Sequence, residues 1–293
     1  MTSSKIDLTG RHIVPASWLA ENLGAPNLVV IDASYYLPAE KRDPWAEYLA
    51  RHIEGARFFD IEAISDSASP LPHMMPSPEK FALSMSALGI GSGDAVVAYD
   101  GTAPGLMSAG RAWWMLRAFG HDNVAALDGG LKKWLAEGRP VTDAAPKPRD
   151  AGPFEAKLRP SLLRTLDDMR AIVASGTSQI ADARGAGRFA GRDAEPRAGL
   201  RSGHMPGARN VPFTTLLRAD GTLKEPAALR EAFEAAGIDI EKPVVTSCGS
   251  GVSAAVLSLA LAILGKSDHG LYDGSWSEWG QASLDTPVAT TSA

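Results

Sequence analysis

The chain has 293 residues, of which 45% are hydrophobic and 22% are charged. This length suggests two domains and excludes a small scaffold held together by disulfides, and this composition excludes a disordered chain. The formal net charge of −5 gives no basic surplus with which to bind a polyanion, so no nucleic-acid partner is expected.

Neither a membrane span nor an export signal is predicted. The longest apolar run, residues 252–264, contains Ser253 and Ser258 and is shorter than the roughly 20 residues that a transmembrane helix needs. It therefore predicts a buried helix. Residues 1–7 include no apolar signal segment, which favours a cytoplasmic, reducing location.

Cysteine and histidine counts limit the chemistry. The single cysteine, Cys248, excludes an intramolecular disulfide and a multi-cysteine zinc site. The six histidines include no pair at the i, i+4 spacing that places two ligands on one helix face. We therefore expect no metal site, and any thiol chemistry must use Cys248 alone.

Short apolar strands alternate with helical patterns along the whole chain. In order, the pattern predicts strands at 28–31 and 95–99, a helix at 108–119, a helix at 226–236, a strand at 244–246 and the helix at 252–264. Such alternation is typical of an α/β fold with a mainly parallel sheet flanked by helices. In these sheets, functional residues gather at the carboxyl ends of the strands.

The two halves of the chain repeat one plan. Four landmarks recur in the same order at a nearly constant spacing, and the pairs are Asp32 with Asp182, His52 with His204, Asp100 with Cys248, and Trp134 with Trp279. This repetition predicts duplicated domains. A segment rich in proline, residues 142–160, is typical of an extended linker, so we expect domains at 1–141 and 161–293.

Cys248 stands where a strand gives way to a glycine-bearing loop and then a helix. In the loop Cys248-Gly249-Ser250-Gly251, the glycines permit a tight curl that turns N–H groups inward. The helix that follows aims its positive end at the same point. This setting favours an anionic thiolate, whereas the alternative is a cysteine that serves only as a small buried hydrophobic residue.

The residues around Cys248 narrow its reaction. Cysteine phosphatases carry an arginine six positions after the nucleophile, but position 254 is alanine. Acyl transfer requires a histidine base, for which His73 and His204 are candidates that sequence alone cannot locate. Sulfur transfer requires less, namely a nucleophilic thiolate and a cradle that stabilises the persulfide.

The duplication, the loop at 248–253 and the tail Tyr-Asp-Gly-Ser-Trp-Ser-Glu-Trp at 272–279 resemble the two-domain rhodanese superfamily. The resemblance covers about residues 14–282 and implies two tandem rhodanese-like domains. Members that use thiosulfate typically follow the cysteine with Arg and Lys, whereas the uncharged Gly-Ser-Gly-Val loop resembles that of members that use 3-mercaptopyruvate.

The resemblance also implies roles for individual residues. Arg188 and Arg197 match the two arginines that hold the carboxylate and keto oxygens of the substrate, and Ser250 and His73 match residues near the sulfur. The remaining implied substrate-binding residues belong to the loop and are Gly249, Gly251, Val252 and Ser253, of which Ser253 could instead only cap the helix. Glu62 stands where some relatives carry aspartate, and we expect Arg184, which comes two residues after Asp182, to form a structural ion pair and not a substrate contact.

The implied activity is sulfur transfer through a Cys248 persulfide, with pyruvate released and an external acceptor completing the cycle. This activity implies no metal and no organic cofactor. Because the chain has no second cysteine, thioredoxin, a small thiol or cyanide must take the sulfur. Asp100 stands at the cysteine position of the first half, so that half is expected to be silent. Two alternatives stay open: a thiosulfate sulfurtransferase, and a non-catalytic rhodanese-like module that binds a partner or senses oxidants.

Overall fold

The computed structural model describes residues 5–266 and 269–291, so the first four residues of the N-terminal segment lie outside it. The chain forms two compact units. The first comprises the chain up to Asp66, Pro76–Arg159 and Arg218–Leu223, and the second comprises Ser67–Met75, Pro160–Leu217 and the chain from Lys224 onward. Each unit therefore includes a short segment that is remote in sequence from its other residues.

The first unit contains a parallel sheet whose strand order is β1-β5-β4-β2-β3. Its strands are β1 (Ile13–Val14), β2 (Leu28–Asp32), β3 (Arg57–Phe58), β4 (Ala95–Tyr99) and β5 (Val124–Leu127). Its helices are α1 (Ala16–Asn22), α2 (Pro44–Ala50), α3 (Ile61–Ile64), α4 (Pro78–Ala87), α5 (Met107–Ala118) and α6 (Gly130–Ala136).

The second unit repeats this topology in the order β6-β10-β9-β7-β8, again with every described strand pair parallel. Its strands are β6 (Leu163–Arg164), β7 (Gln179–Asp182), β8 (Arg209–Asn210), β9 (Val244–Ser247) and β10 (Gly270–Tyr272). Its helices are α7 (Leu166–Ser175), α8 (Ala186–Ala190), α9 (Pro226–Ala235), α10 (Ala254–Ile263) and α11 (Ser275–Trp279). The predicted α/β fold, with two parallel sheets flanked by helices, is confirmed.

Strands β4 and β9 lie at the centres of the two sheets and are buried along their whole length. Their β-branched and small apolar residues suit a strand that is covered on both faces. Helix α10 is almost entirely apolar, and nine of its residues are buried. A helix that is apolar on all sides belongs in a protein core, and within the described residues no helix combines the length and apolarity needed to cross a membrane.

Residues 142–159 form no helix or strand and lie along the first unit. Arg149 pairs with the buried Asp94, and Phe154 packs edge-on against Phe81. Prolines and mixed charges prevent regular structure here, because proline lacks an N–H donor and fixes φ. The segment is held by side-chain contacts instead.

Candidate active site

Cys248 follows the central strand β9, at the carboxyl end of the sheet. Its backbone N–H donates to the Ser275 hydroxyl at 3.1 Å, and its carbonyl accepts from the Trp276 N–H at 3.0 Å. Only 2% of the residue is exposed. The thiol is therefore held by a rigid backbone in a site with little bulk water.

The turn after β10 fixes the cysteine loop from the side. The Gly249 carbonyl accepts from both the N–H and the hydroxyl of Ser277, at 2.8 and 2.7 Å. Ser275 has a left-handed φ of 48° and donates its hydroxyl to the Tyr272 carbonyl at 2.8 Å. The motif of this turn is visible in the sequence, but the roles of Ser275 and Ser277 arise only because the ends of two parallel strands meet at one edge of the sheet.

The loop then leads into α10. Gly251 has φ +75°, a conformation that L-residues rarely adopt, so glycine is required for this curl. Val252 is buried, and the Ser253 side chain makes no capping hydrogen bond to the helix. The ten residues of α10 direct a partial positive charge towards the loop, because helix N-termini carry unsatisfied N–H groups.

His73 and Ser250 meet although they are far apart in sequence. His73 Nδ1 lies 3.1 Å from the Ser250 hydroxyl oxygen, and only 2% of the histidine is exposed. The Met75 N–H donates to the Asp273 carboxylate at 2.7 Å, which anchors the segment that carries His73. His73 also has a left-handed φ of 60°, an uncommon conformation that the surrounding contacts must hold.

Buried ion pairs connect β7 to Arg188. Arg184 pairs with Asp182 at 2.7 Å, as predicted, and with Glu195 at 2.8 Å. The other oxygen of Glu195 pairs with Arg188, whose Nε lies 3.2 Å away. The side chains of Arg184 and Glu195 are at most 2% exposed, whereas that of Arg188 is 25% exposed. Glu195, which sequence analysis did not single out, therefore holds the Arg188 guanidinium from a rigid base.

Arg188 also approaches the cysteine loop. A Cβ atom built on Gly249 would lie 3.1 Å from Arg188 Nη2, so glycine makes room for the guanidinium. The structure thus brings Arg188 beside the residue that follows Cys248. Arg197 is half-buried and makes no hydrogen bond or ion pair with residues 5–266 or 269–291, and Glu62 is an exposed residue of α3 in the first unit.

The loop of the first unit that corresponds to the cysteine loop shows how such a loop binds a negatively charged side chain. The Asp100 carboxylate is fully buried and accepts from the N–H groups of Ser108 and Ala109 in the first turn of α5, each at 2.8 Å, and from the N–H of Thr102 at 3.0 Å. Burial raises the pKa of Asp100, although these hydrogen bonds oppose the shift. In this unit, N–H donors thus converge on the side chain that occupies the cysteine position.

The site holds no set of metal ligands. Within the part of the chain that the structure describes, no group of three or more His, Cys, Asp or Glu side chains could hold a metal ion. The described groups that can take part in chemistry at Cys248 are the thiol, the loop, the Ser250 hydroxyl and His73 imidazole that lie 3.1 Å apart, and the guanidinium of Arg188.

Comparisons with known proteins agree with this geometry. A model of the rhodanese-like domain matches residues 15–137 and again 165–282. The chain is 45% identical to human 3-mercaptopyruvate sulfurtransferase over 92% of each chain, and equally identical to bovine thiosulfate sulfurtransferase with the same coverage. The crystal structure of SseA from Escherichia coli, described as a 3-mercaptopyruvate sulfotransferase with a rhodanese fold, matches with a TM-score of 0.82 at 44% identity, over 91% of this chain and 99% of that one.

Proposed function

The chain belongs to the rhodanese family, with two such domains in tandem, and from this premise we propose that it transfers sulfur from 3-mercaptopyruvate to a thiol acceptor through Cys248. The observation that carries the proposal is the Arg188 guanidinium, held by Glu195 against Gly249, beside the nucleophile. A guanidinium fork binds a carboxylate in a bidentate manner, which suits a 2-oxo acid.

In the first half-reaction, the Cys248 thiolate attacks the sulfur of 3-mercaptopyruvate. A sulfur–sulfur bond forms as the carbon–sulfur bond breaks, and the electron pair of the broken bond passes to the enolate of pyruvate. The enolate takes up a proton and leaves as pyruvate, while the enzyme keeps a cysteine persulfide. Fixed N–H donors in a water-poor site stabilise such anions more than bulk water does.

Arg188 and Arg197 align the donor in this scheme. Arg188 is fixed by Glu195, and Arg197 lies two residues after Glu195 with its guanidinium uncommitted to any described residue. One fork binds the carboxylate, and the other binds the keto oxygen on which charge develops. Gly249, Gly251, Val252 and Ser253 shape the loop around the sulfur, and Gly251 supplies its left-handed turn.

Ser250 and His73 transfer the proton that leaves the Cys248 thiol. Their contact of 3.1 Å allows a proton to move between the hydroxyl and the imidazole, and imidazole is the side chain that serves most often as a general acid or base in enzymes. The proton that leaves the Cys248 thiol can then return to the pyruvate enolate. Atoms and charge balance without an outside oxidant.

The second half-reaction requires an external acceptor. Cys248 is the single cysteine of the chain, so no internal thiol can resolve the persulfide. Thioredoxin or a small thiol takes the outer sulfur and regenerates the Cys248 thiol, and cyanide serves as an alternative acceptor. A lone thiol that must stay reduced between turnovers is compatible with the cytoplasm, which we propose as its location.

We assign catalysis to the C-terminal domain, residues 161–293, and a silent supporting role to residues 1–141, with 142–160 as the linker. Asp100 occupies the cysteine position of the N-terminal domain. Its carboxylate is committed to backbone donors and carries no sulfur, so it cannot form a persulfide.

The decisive experiment omits the acceptor. Incubation with 3-mercaptopyruvate should release one pyruvate per chain and add the mass of one sulfur atom to a peptide containing Cys248, as detected by mass spectrometry. The Cys248→Ser variant should do neither. Because Cys248 is only 2% exposed, its alkylation by iodoacetamide tests access as well, and a thiol that neither alkylates nor gains sulfur would refute the proposal.

Turnover with an acceptor present, compared for two sulfur donors, separates the two alternatives. Overall similarity does not distinguish a mercaptopyruvate enzyme from a thiosulfate enzyme, since both kinds of relative are 45% identical. The uncharged segment at 249–253 favours mercaptopyruvate, so kcat/KM should be higher for it than for thiosulfate. A non-catalytic module would form no persulfide with either donor.

A further inference from the structure

A cavity lies in the first unit, at the carboxyl end of β2. It has a volume of about 490 Å³, within the range of about 300–1,000 Å³ that is typical of small-molecule sites. Its lining includes Asp32, Ser34, Glu47, Tyr48 and Arg51. The proposed reaction at Cys248 uses none of these residues.

The equivalent strand end in the second unit carries an arginine that the first unit lacks. Asp182, at the end of β7, is fully buried and paired with Arg184, two residues later. Its counterpart Asp32, at the end of β2, is 2% exposed, but the residue two positions later is Ser34. The first unit thus keeps the buried carboxylate and replaces the arginine with a much smaller side chain.

Asp32 therefore lines the cavity with no cation paired to it among the described residues. The N–H of Ser34 donates to its carboxylate at 2.9 Å and the Ser34 hydroxyl also donates, but none of the described residues forms an ion pair with Asp32. A buried charge without an opposite charge is costly, and burial accordingly raises the pKa of Asp32 to about 6. A positively charged ligand would remove this cost.

The cavity is also lined by the charged residues Arg42, Glu47 and Arg51. Arg42 and Glu47 neutralise one another, and the Tyr36 hydroxyl donates to Glu47 at 2.8 Å. Arg51 is exposed at the same cavity, and its guanidinium makes no hydrogen bond or ion pair with the described part of the chain. A buried anion and an exposed cation, whose guanidinium forms no hydrogen bond with the described residues, thus line the same cavity.

We propose that this cavity binds a small zwitterion, an α-amino acid, with its ammonium group on Asp32 and its carboxylate on Arg51. The ammonium takes the place that the Arg184 guanidinium holds in the other repeat. The site lies wholly within the first unit, and binding there does not require the reaction at Cys248.

Calorimetric titration of the intact protein with each of the twenty common L-α-amino acids tests the proposal. We expect at least one to bind with a Kd below about 1 mM. The amine that lacks the carboxylate of that ligand, and the acid that lacks its ammonium group, should each bind at least tenfold more weakly. Failure of all twenty to bind at 10 mM would overturn the proposal, and so would equal binding of either fragment.

Substitutions in the cavity and at Cys248 show where the amino acid binds. Asp32→Asn keeps the shape of the side chain and Arg51→Ala changes an exposed residue, so both should fold, and each should weaken binding at least tenfold. Cys248→Ser should bind the amino acid as the wild type does, which separates this site from the catalytic one. Binding that survives Asp32→Asn, or that is lost in Cys248→Ser, would show that the ligand occupies another place.

Discussion

Replacing Gly249 with alanine tests the proposed role of Arg188 without touching either reacting group. The new Cβ would lie 3.1 Å from Arg188 Nη2, whereas favourable contacts of a carbon atom lie at about 3.5–4.0 Å. The guanidinium must therefore move by about half an ångström. Gly249 does not have a left-handed φ, so alanine should be compatible with the backbone.

The size of the effect follows from how Arg188 is held. Its guanidinium is paired with the buried Glu195, which Arg184 fixes in turn, so the displacement strains this pair and shifts the donor-binding fork. A misplacement of 1 Å can cost about 100-fold in rate. Half that displacement should lower kcat/KM for 3-mercaptopyruvate about tenfold, or about 1.4 kcal/mol of transition-state stabilisation.

Steady-state pyruvate release measures this effect, and two comparisons make it specific. Gly185→Ala is the matched control, since a Cβ there meets no atom within 4 Å, and it should retain wild-type kcat/KM. In an Arg188→Ala background, Gly249→Ala should add little, because the group it displaces is absent. Undiminished activity of Gly249→Ala, or an equal loss with and without Arg188, would refute this interpretation.

Three further outcomes are expected. Cys248→Ser should abolish pyruvate release and leave the melting temperature within a few degrees of wild type, as checked by activity and thermal unfolding; residual turnover would contradict the mechanism. Arg188→Ala should raise KM at least tenfold, whereas Arg192→Ala, which alters an exposed arginine nearby, should not. Asp32→Asn should remove the dependence of the unfolding free energy on pH that Asp32 causes. Because burial raises the pKa of Asp32 to about 6, the folded wild type still holds a proton that the unfolded chain releases near pH 4. The unfolding free energy of the wild type should therefore fall by up to about 3 kcal/mol from pH 4 to pH 6. Urea unfolding of both proteins at pH 4, 5, 6 and 7 measures this loss, and parallel curves would contradict it.

The central elements of each repeat could be predicted because their signals are local. Strand β9 is a short run rich in β-branched residues, and Cys248 and a loop with two glycines follow it. Helix α10 begins at Ala254 rather than at the predicted residue 252, since Val252 and Ser253 complete the loop. The ion pair between Asp182 and Arg184 could also be predicted, because the two residues are close in sequence.

The contacts that complete the site could not be predicted in this way. Glu195 acts through a carboxylate shared by two arginines, and nothing in its local pattern distinguishes it from a solvated surface acid. Ser275 and Ser277 act because β10 ends beside β9, which is a property of the strand order and not of either segment alone. Such contacts depend on tertiary structure.

The short segments that each compact unit takes from elsewhere in the chain limit how the protein can be divided. Residues 218–223 supply Asp220, which pairs with Lys133 at 2.9 Å, and Leu223, whose N–H donates to Asp128 at 2.8 Å. Residues 67–75 supply His73 to Ser250. An N-terminal half expressed alone would thus lose part of its own packing, and a C-terminal half expressed alone would keep its thiol but lack its imidazole. Although the two units share one topology, a cut near residue 150 leaves each half without residues that belong to its own compact unit.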